Sequence, residues 1–356
     1  MKKKMRRKTV ALMMTAALAV TGCLTGCGSS SDSADNGELN IFIWTEYVPD
    51  SVIEKFEDET GIKVNVSTFF SNEDMLAKVQ AEASDAYDIV QPSDYMVQRM
   101  IEQDMLAELD KDALPNLSNI GEQYLNPSYD PGNVYSVPYQ GGVAAIAVNT
   151  DMVDIDIDSY ADLFDPSLKD SLVVLDDYRA VIGMTARSMG YSMNETDPAH
   201  LQEISDKLMT LKPNIKLYDS DSPKSALISG DCAVGMVWNA EIALAMEEND
   251  SIEIVYPKEG PYVFMDNWAV MKDSPNYDNA MTFINFMMDP DVVQMVLEEF
   301  PYLNPNTTAV EAMGEEYSSN LAKNPPAEVI ASGEYVQNLD VDTLAIYDEM
   351  WTQLKQ

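Results

Sequence analysis

The feature that most constrains the fold is an alternation of strand-like and helix-like segments along most of the 356-residue chain. After the first strand-like segment, a helix pattern begins at Pro49 and ends before Gly61, a residue that favours helix termination. Repeated alternation of this kind indicates mostly parallel sheets covered by helices, which is the α/β class. The strand-like segments are residues 39–44, 62–70, 87–90, 172–175, 233–238 and 252–256.

The N-terminal segment has a different character. A basic block at residues 2–8 is followed by an apolar run at 10–20, which is too short to cross a hydrocarbon core that needs about 20 residues. This pattern predicts a secretory signal over residues 1–26. The segments ending at Cys23 and Cys27 both resemble a bacterial lipobox, in which the cysteine is lipidated after cleavage.

We predict Cys27 as the lipidated residue, because a leucine opens its segment and a polar run follows, with Cys23 as the alternative. Residues 27–37 are then a flexible tether rich in serine. The expected location is the outer face of the cytoplasmic membrane, which is the periplasmic space if the cell has an outer membrane. A plain secretory signal, or a disulfide between the two cysteines, is the alternative reading of the pair.

The charge of the chain argues against nucleic acid as a partner. The basic block holds six of the 22 Lys and Arg residues and none of the 60 Asp and Glu residues, so the remaining chain carries about −44. Phosphates need basic side chains to neutralise them. An acidic surface keeps a protein soluble and attracts cations over long range, but this charge alone does not identify a cationic ligand.

The scarcity of cysteine and histidine argues against several enzyme classes. Cys232 is the one cysteine that follows the predicted tether, and it lies in an apolar run, which favours a buried structural thiol. His200 is the one histidine of the chain, at the predicted start of a helix. Histidine-based triads and multi-histidine metal sites are therefore not expected, and we predict no metal, no cofactor and no catalytic residue.

Aromatic and acidic residues recur at one kind of position. Ligands of α/β folds bind beyond the carboxyl ends of strands, and we place Asp266 in a turn before a strand at 268–271. A buried amine needs a carboxylate partner, and aromatic faces hold both its charge and its methylene groups. The strand ends therefore predict a site for an organic amine. Its candidate residues are Trp44, Tyr47, Ser93, Tyr95, Asp177, Trp238 and Asp266.

Sequence motifs along the body resemble the spermidine/putrescine-binding proteins of bacterial polyamine importers. The resemblance extends from about residue 38 to the end of the chain. The motifs that carry it include Trp-Thr-Glu-Tyr-Val-Pro at 44–49, Ala-Tyr-Asp-Ile-Val at 86–90, Tyr-Ser-Val-Pro-Tyr at 135–139, Gly-Met-Val-Trp-Asn at 235–239 and Pro-Lys-Glu-Gly at 257–260.

The resemblance implies a two-lobed periplasmic-binding-protein fold of type II, with mostly parallel sheets, a hinge and a central cleft. It also implies delivery of a polyamine to a membrane permease driven by an ATPase. The implied lobes are residues 38–140 with about 268–302, and about 141–267 with 303–356. We expect a monomer that captures its ligand when the two lobes close.

Position by position, the resemblance assigns ligand contacts to all seven strand-end candidates and adds Phe264, Tyr302 and Gln337. Two positions depart from the family pattern. Phe264 stands where spermidine binders usually carry Trp, and Ala180 stands where they often carry Glu. A phenyl ring has a weaker quadrupole than indole, and the missing acid removes one partner for a terminal amine. The choice between spermidine and putrescine therefore stays open.

Other functions remain open from the residues alone. A receptor of the same fold for another organic cation is one, and a ferric-ion receptor using Tyr47, Tyr95 and Tyr302 is another. An extracellular hydrolase using Asp176 and Asp177 is less favoured, because adjacent residues at a strand end point in opposite directions. A purely adhesive surface protein is the last alternative.

Overall fold

The computed structural model describes residues 36–356. The predicted signal segment, the candidate lipidation residues Cys23 and Cys27, and residues 27–35 of the predicted tether lie outside the described residues. Within residues 36–356, ten strands and thirteen α-helices alternate along much of the chain, which confirms the predicted α/β class.

The strands follow the chain in the order β1 (Glu38–Trp44), β2 (Lys63–Phe69), β3 (Ile89–Val90), β4 (Ser136–Asn149), β5 (Leu172–Val174), β6 (Ile215–Tyr218), β7 (Val234–Trp238), β8 (Ile252–Val255), β9 (Tyr262–Val270) and β10 (Glu334–Tyr335). The helices are α1 (Asp50–Thr60), α2 (Asn72–Ala81), α3 (Asp94–Glu102), α4 (Tyr178–Ser188), α5 (Pro198–Leu211), α6 (Lys224–Ile228), α7 (Asn239–Glu248), α8 (Tyr277–Met287), α9 (Pro290–Glu299), α10 (Thr307–Ala312), α11 (Gly314–Ser318), α12 (Ala327–Ser332) and α13 (Val341–Lys355).

The ten strands form one mixed sheet. Its order is β2-β1-β3-β9-β4-β7-β5-β6, with β10 beside β9 and β8 beside β4. Toward one end β1 pairs in parallel with β2 and β3, and toward the other β5 pairs in parallel with β6 and β7. The predicted parallel pairing therefore holds toward both ends. The middle is antiparallel, because β9 runs against both β3 and β4, and β4 against both β7 and β8.

Two long central strands connect the two ends of this sheet. All 14 residues of β4 and all nine of β9 are buried. A strand covered on both faces lacks the alternation of apolar and polar residues that marks a half-exposed strand. For this reason the sequence analysis did not identify β4 as a strand.

The predicted boundaries between the lobes fall on these central strands. The boundary at 140/141 lies inside β4, and the boundary at 267/268 lies inside β9. The backbone N–H of Gly141 donates to the carbonyl oxygen of Leu303 at 2.8 Å, which brings the boundary at 302/303 beside β4. The three predicted crossing points therefore lie side by side, while the limits of the lobes stay a prediction.

Local sequence explains several element ends. Helix α1 ends where Gly61 adopts φ 72°, a left-handed conformation in which glycine has no steric penalty. The last helix begins at Val341, because Asp340 caps it and the preceding β10 pairs with β9. Asp266 lies within β9 and not in the predicted turn before a strand. The polar residue interrupts the apolar pattern, but hydrogen bonds satisfy its side chain inside the sheet.

Cys232 and His200 lie in ordinary structural positions. Cys232 is a buried free thiol, as predicted. His200 lies in the first turn of α5, where its Nδ1 is 3.1 Å from a carboxylate oxygen of Glu195. None of the helices within residues 36–356 is both long enough and apolar enough to cross a membrane.

Candidate functional site: an aromatic pocket with buried acids

A pocket of about 570 Å³ lies at the ends of several strands and collects most of the predicted site. We call it the aromatic pocket. It has the mixed apolar and polar lining of a small-molecule site. Its lining residues are Trp44, Thr45, Glu46, Tyr47, Phe70, Asn72, Ser93, Asp177, Ser220, Asp221, Trp238, Tyr262, Phe264, Asp266 and Tyr302.

Eight of the ten predicted ligand-binding residues line this pocket: Trp44, Tyr47, Ser93, Asp177, Trp238, Phe264, Asp266 and Tyr302. Tyr95 and Gln337 instead line a second pocket of about 1360 Å³. The Tyr95 hydroxyl donates to Glu73 at 3.0 Å, and the backbone oxygen of Gln337 accepts from Arg179 at 3.1 Å. The role of these two residues in ligand binding stays a prediction.

Asp266 is the most enclosed acid of the aromatic pocket. Its side chain projects from β9, and the residue is 4% exposed. One carboxylate oxygen accepts a hydrogen bond from the Ser93 hydroxyl at 2.5 Å, and the other accepts from the Tyr47 hydroxyl at 2.7 Å. Burial raises the pKa of Asp266 to about 7, although these two hydrogen bonds act in the opposite direction.

The side chain of Ser93 is held by hydrogen bonds to residues outside the helix that it precedes. It precedes α3, but its side chain does not cap that helix. Its hydroxyl donates to Asp266 and accepts from the Asn72 side chain at 2.9 Å, while its backbone N–H donates to the same asparagine at 3.1 Å. Asp94 supplies an acceptor for the backbone N–H of Tyr95 instead. Ser93 therefore connects the start of α2 to the buried acid.

Tyrosine rings form one wall of the pocket. The ring of Tyr47 packs edge-to-face against Tyr302 at a centroid distance of 5.1 Å and against Tyr139 at 5.5 Å. The Tyr139 hydroxyl donates to the backbone oxygen of Tyr47 at 2.9 Å. Burial, together with the nearby acids, raises the pKa of Tyr47 and of Tyr302 well above the usual value. Both phenols therefore stay protonated, and the Tyr47 hydroxyl donates to Asp266.

A second aromatic wall forms where the end of β7 lies near the start of β9. Trp238 is the last residue of β7, and its ring lies 5.0 Å from Phe264 and 5.8 Å from Tyr262 in edge-to-face geometry. Phe264 in turn lies 6.1 Å from Tyr302, which joins the two walls. Trp44, at the end of β1, packs on Phe69 at 4.5 Å. The pocket is therefore lined by ring faces and ring edges around its acids.

Asp177 caps a helix and also lines the aromatic pocket. It is the N-cap of α4, and its Oδ1 accepts the backbone N–H groups of Arg179 at 2.8 Å and Ala180 at 3.1 Å. Both capping bonds go to Oδ1, so Oδ2 is not needed for the cap. Burial raises the pKa of Asp177, and the two backbone hydrogen bonds oppose that shift. The position is compatible with the predicted ligand contact, which stays a prediction.

Asp176 lies apart from this site. Its carboxylate pairs with the Lys355 ammonium at 2.5 Å, and it is not among the residues that line the aromatic pocket. The two adjacent acids therefore do not form a carboxylate pair within the pocket, which is the arrangement that a hydrolase would need.

Seven lining residues were not predicted: Thr45, Glu46, Phe70, Asn72, Ser220, Asp221 and Tyr262. Thr45 and Glu46 lie inside the predicted motif between Trp44 and Tyr47, so their position could have been found. Asp221 follows β6, a strand that the sequence analysis did not identify. Tyr262 begins β9 and gave no sequence signal beyond its aromatic character.

Comparison with known proteins shows which family the chain is similar to. The family described as bacterial extracellular solute-binding protein matches residues 51–326. The spermidine/putrescine-binding periplasmic protein of Salmonella typhimurium is 40% identical over 339 residues, covering 95% of this chain and 97% of that protein.

Two solved structures extend the comparison. A putative spermidine/putrescine ABC transporter protein from Listeria monocytogenes superposes with a TM-score of 0.86 at 37% identity, covering 90% of this chain and 99% of that one. A lipoprotein of Treponema pallidum superposes with a TM-score of 0.78 at 27% identity, covering 89% and 99%. These structures confirm the predicted periplasmic-binding-protein fold.

The descriptions of these relatives concern binding and transport and name no reaction, in agreement with the prediction of a binding protein and not an enzyme. The matched family region covers most of the described chain, and the 40% identity extends over nearly all of it. The chain therefore belongs to the bacterial extracellular solute-binding proteins.

Proposed function

We propose that this protein is an extracellular receptor that captures a polyamine, spermidine or putrescine, and delivers it to an ABC permease. The observation that carries the proposal is the meeting of Asp177 and Asp266 in one pocket walled by aromatic rings. A polyamine is a flexible apolar chain with separated ammonium groups. Acids that are set apart and joined by ring surfaces match that chemistry.

Each acid has an assigned amine in this proposal. Asp266 would bind one ammonium group, which would stabilise the ionised carboxylate inside the protein. Asp177 would bind another through Oδ2, because its other oxygen caps α4. Ring faces would cover the methylene groups and the ammonium groups of the ligand, and the rings are those of Trp44, Trp238 and Phe264. A desolvated cation–π contact contributes about 2 kcal/mol.

Ligand capture by closure follows from the way the site is divided between the predicted lobes. Tyr47 and Ser93 belong to the first predicted lobe, and Asp177 and Asp266 to the second. A ligand shifts a conformational equilibrium only through its different affinity for the two states. A polyamine that binds these acids and also contacts Trp44 of the first predicted lobe would favour the closed state. The adjacent crossing points near Gly141 and Leu303 would act as the hinge.

We also propose a lipid anchor on Cys27, with Cys23 as the alternative, at the outer face of the cytoplasmic membrane. The sequence pattern of residues 1–27 supports it. The description of the Treponema pallidum relative as a lipoprotein adds support. In this proposal the receptor is a monomer, held near its permease by the serine-rich tether.

Iron is the less favoured ligand. A ferric site in a receptor of this fold would use phenolate oxygens, but the pKa values of Tyr47 and Tyr302 are raised by burial and by neighbouring acids. Tyr95 lines the second pocket and donates its hydroxyl to Glu73. The three tyrosines therefore do not form one anionic cluster. Another organic cation remains the alternative with the same chemistry.

Calorimetry of the chain from residue 28 onward tests the proposal directly. Putrescine, spermidine, spermine, thiamine and ferric citrate would be titrated in turn. We expect putrescine or spermidine to bind with micromolar or tighter affinity. Binding of ferric citrate or thiamine without binding of any polyamine would replace the proposal with one of the alternatives.

A further inference from the structure

One lysine lies at the edge of the aromatic pocket and is already paired with two acids. The Lys224 ammonium, at the start of α6, is 2.7 Å from a carboxylate oxygen of Glu46 and 3.0 Å from both carboxylate oxygens of Glu241. Glu46 lies in the loop after β1, and Glu241 lies in the first turn of α7. Three separate segments of the chain therefore meet at this ammonium group.

Burial makes this arrangement more than a surface ion pair. The side chains of Lys224 and Glu241 are 20% and 4% exposed, whereas that of Glu46 is 42% exposed. Burial raises the pKa of Glu241 to about 7, although Lys224 opposes the shift. Burial also lowers the pKa of Lys224, but the two carboxylates outweigh this effect and raise it. The ammonium is thus held mainly by the enclosed Glu241.

Glu46 belongs to the pocket as well as to the ion pair. It lines the aromatic pocket, and its backbone has φ 49°, a left-handed conformation that is uncommon outside glycine. The negative charges of Glu241, Asp266 and Glu46 all raise the pKa of Tyr302, so this tyrosine lies within electrostatic reach of each. Lys224 is therefore paired with an acid that lines the same pocket as the buried Asp266.

The acids that line the pocket differ in their partners. Asp177, Asp221 and Asp266 have no ion pair with a lysine or arginine among the described residues, whereas Glu46 has one, with Lys224. If Asp177 and Asp266 each bind one amine of a ligand, a third amine is left with Glu46 and Asp221. An amine that binds Glu46 must share this carboxylate with Lys224.

We propose that Lys224 is a specificity-determining residue, a tethered ammonium that competes with the third amine of a ligand for Glu46 and so disfavours triamines relative to diamines. The inference rests on the proposed function, because it assumes a polyamine ligand. Like charges at one carboxylate repel, so the distal amine of spermidine must displace Lys224 or leave Glu46 unused. Putrescine has only two amines and does not meet this competition.

The test compares the ratio of spermidine to putrescine affinity in matched variants. Lys224→Met alone would leave the buried Glu241 without a partner and could destabilise the fold. The double variant Lys224→Met/Glu241→Met replaces the buried pair with apolar side chains of similar volume, a change that is often neutral for stability. It leaves Glu46 in place, and we expect the ratio to rise by about tenfold or more.

A second ion pair provides the control. Lys323 pairs with Glu247 at 2.6 Å, its side chain is 19% exposed, and neither residue lines the aromatic pocket. The variant Lys323→Met/Glu247→Met should leave the ratio unchanged. Adding Glu46→Gln to the first double variant should return the ratio to the wild-type value.

The outcomes separate the two proposals. If the wild-type protein binds neither amine, the proposed function fails. If the wild-type protein binds them but the ratio in Lys224→Met/Glu241→Met stays within twofold of the wild-type ratio, the role of Lys224 is overturned. An equal loss of affinity for both amines also overturns it, since this would show that the ion pair only holds the two sides of the pocket together.

Discussion

The hydroxyl of Tyr47 donates to the carboxylate of Asp266 at 2.7 Å, although 219 positions separate the two residues in the chain. Tyr47 follows β1, and Asp266 lies within β9. Their contact joins the two predicted lobes at the point where the pocket is most enclosed. It also supplies one of the two hydrogen bonds that the buried carboxylate accepts, the other coming from Ser93. A buried charge without partners would cost several kcal/mol.

Neutralising Asp266 should weaken polyamine binding strongly. In Asp266→Asn a ligand ammonium would remain in the buried pocket without its carboxylate, which costs at least about 2 kcal/mol, or roughly 30-fold in affinity. Calorimetry with putrescine and spermidine measures the change. Asp197→Asn, at the cap of α5, is the control and should bind as the wild-type protein does. Unchanged affinity in Asp266→Asn would show that the ligand binds elsewhere.

The affinity for polyamine should fall in acid. Because the pKa of Asp266 is about 7 without ligand, the carboxyl group is mostly protonated at pH 6 and mostly ionised at pH 8. A ligand ammonium favours the ionised form, so binding must release a proton at low pH. With the ligand amines still protonated, affinity should drop by about tenfold from pH 8 to pH 6. Titrations in buffers of different ionisation enthalpy count the protons released, and Asp266→Asn should abolish most of this dependence.

Two substitutions at Asp177 should separate the contribution of its helix cap to stability from the contribution of its negative charge to polyamine affinity. Asparagine caps a helix nearly as well as aspartate, so Asp177→Asn should reduce polyamine affinity while changing the free energy of unfolding little. Asp177→Ala should lose both functions and lower the free energy of unfolding by about 1 kcal/mol. Chemical denaturation measures the free energy of unfolding of both variants, and calorimetry measures their polyamine affinity. Equal affinity in Asp177→Asn and wild type would restrict this residue to a capping role.

The aromatic ring of Phe264 should strengthen polyamine binding through a cation–π contact. Phe264 is 6% exposed and packs against Trp238, so Phe264→Leu would keep an apolar group but remove the quadrupole. We expect the binding free energy to weaken by about 1 to 2 kcal/mol. Trp351→Leu, which lies in α13 and outside the pocket lining, should bind normally. A loss of affinity in both variants would point to a general effect on folding.

Lipidation should depend on one cysteine of the leader. Expression of the full chain in a bacterium that makes lipoproteins, followed by labelling with a fatty-acid analogue, measures the modification. We expect Cys27→Ser to lose the label and to leave the membrane fraction, while Cys23→Ser keeps both. The reverse result would assign the lipid to Cys23, and a label on neither residue would contradict the anchor.

The sequence by itself determined the class of fold, the family and most of the site. Alternating segments predicted the α/β class, and the motif at Trp44–Tyr47 together with Trp238 identified residues that do line the pocket. Such residues are visible in sequence because strand ends and helix starts have local signatures of composition and capping.

Only the tertiary structure decided how the acids are partnered. The hydrogen bonds of Asp266 to Ser93 and Tyr47, and the pairing of Lys224 with Glu46 and Glu241, join segments far apart in the chain. Buried central strands such as β4 carry no polar alternation, so their register and their role at the crossing points were not visible. The placement of Tyr95 and Gln337 in a second pocket was equally hidden. Long-range pairing depends on the packing of the whole chain, and local sequence patterns do not encode it.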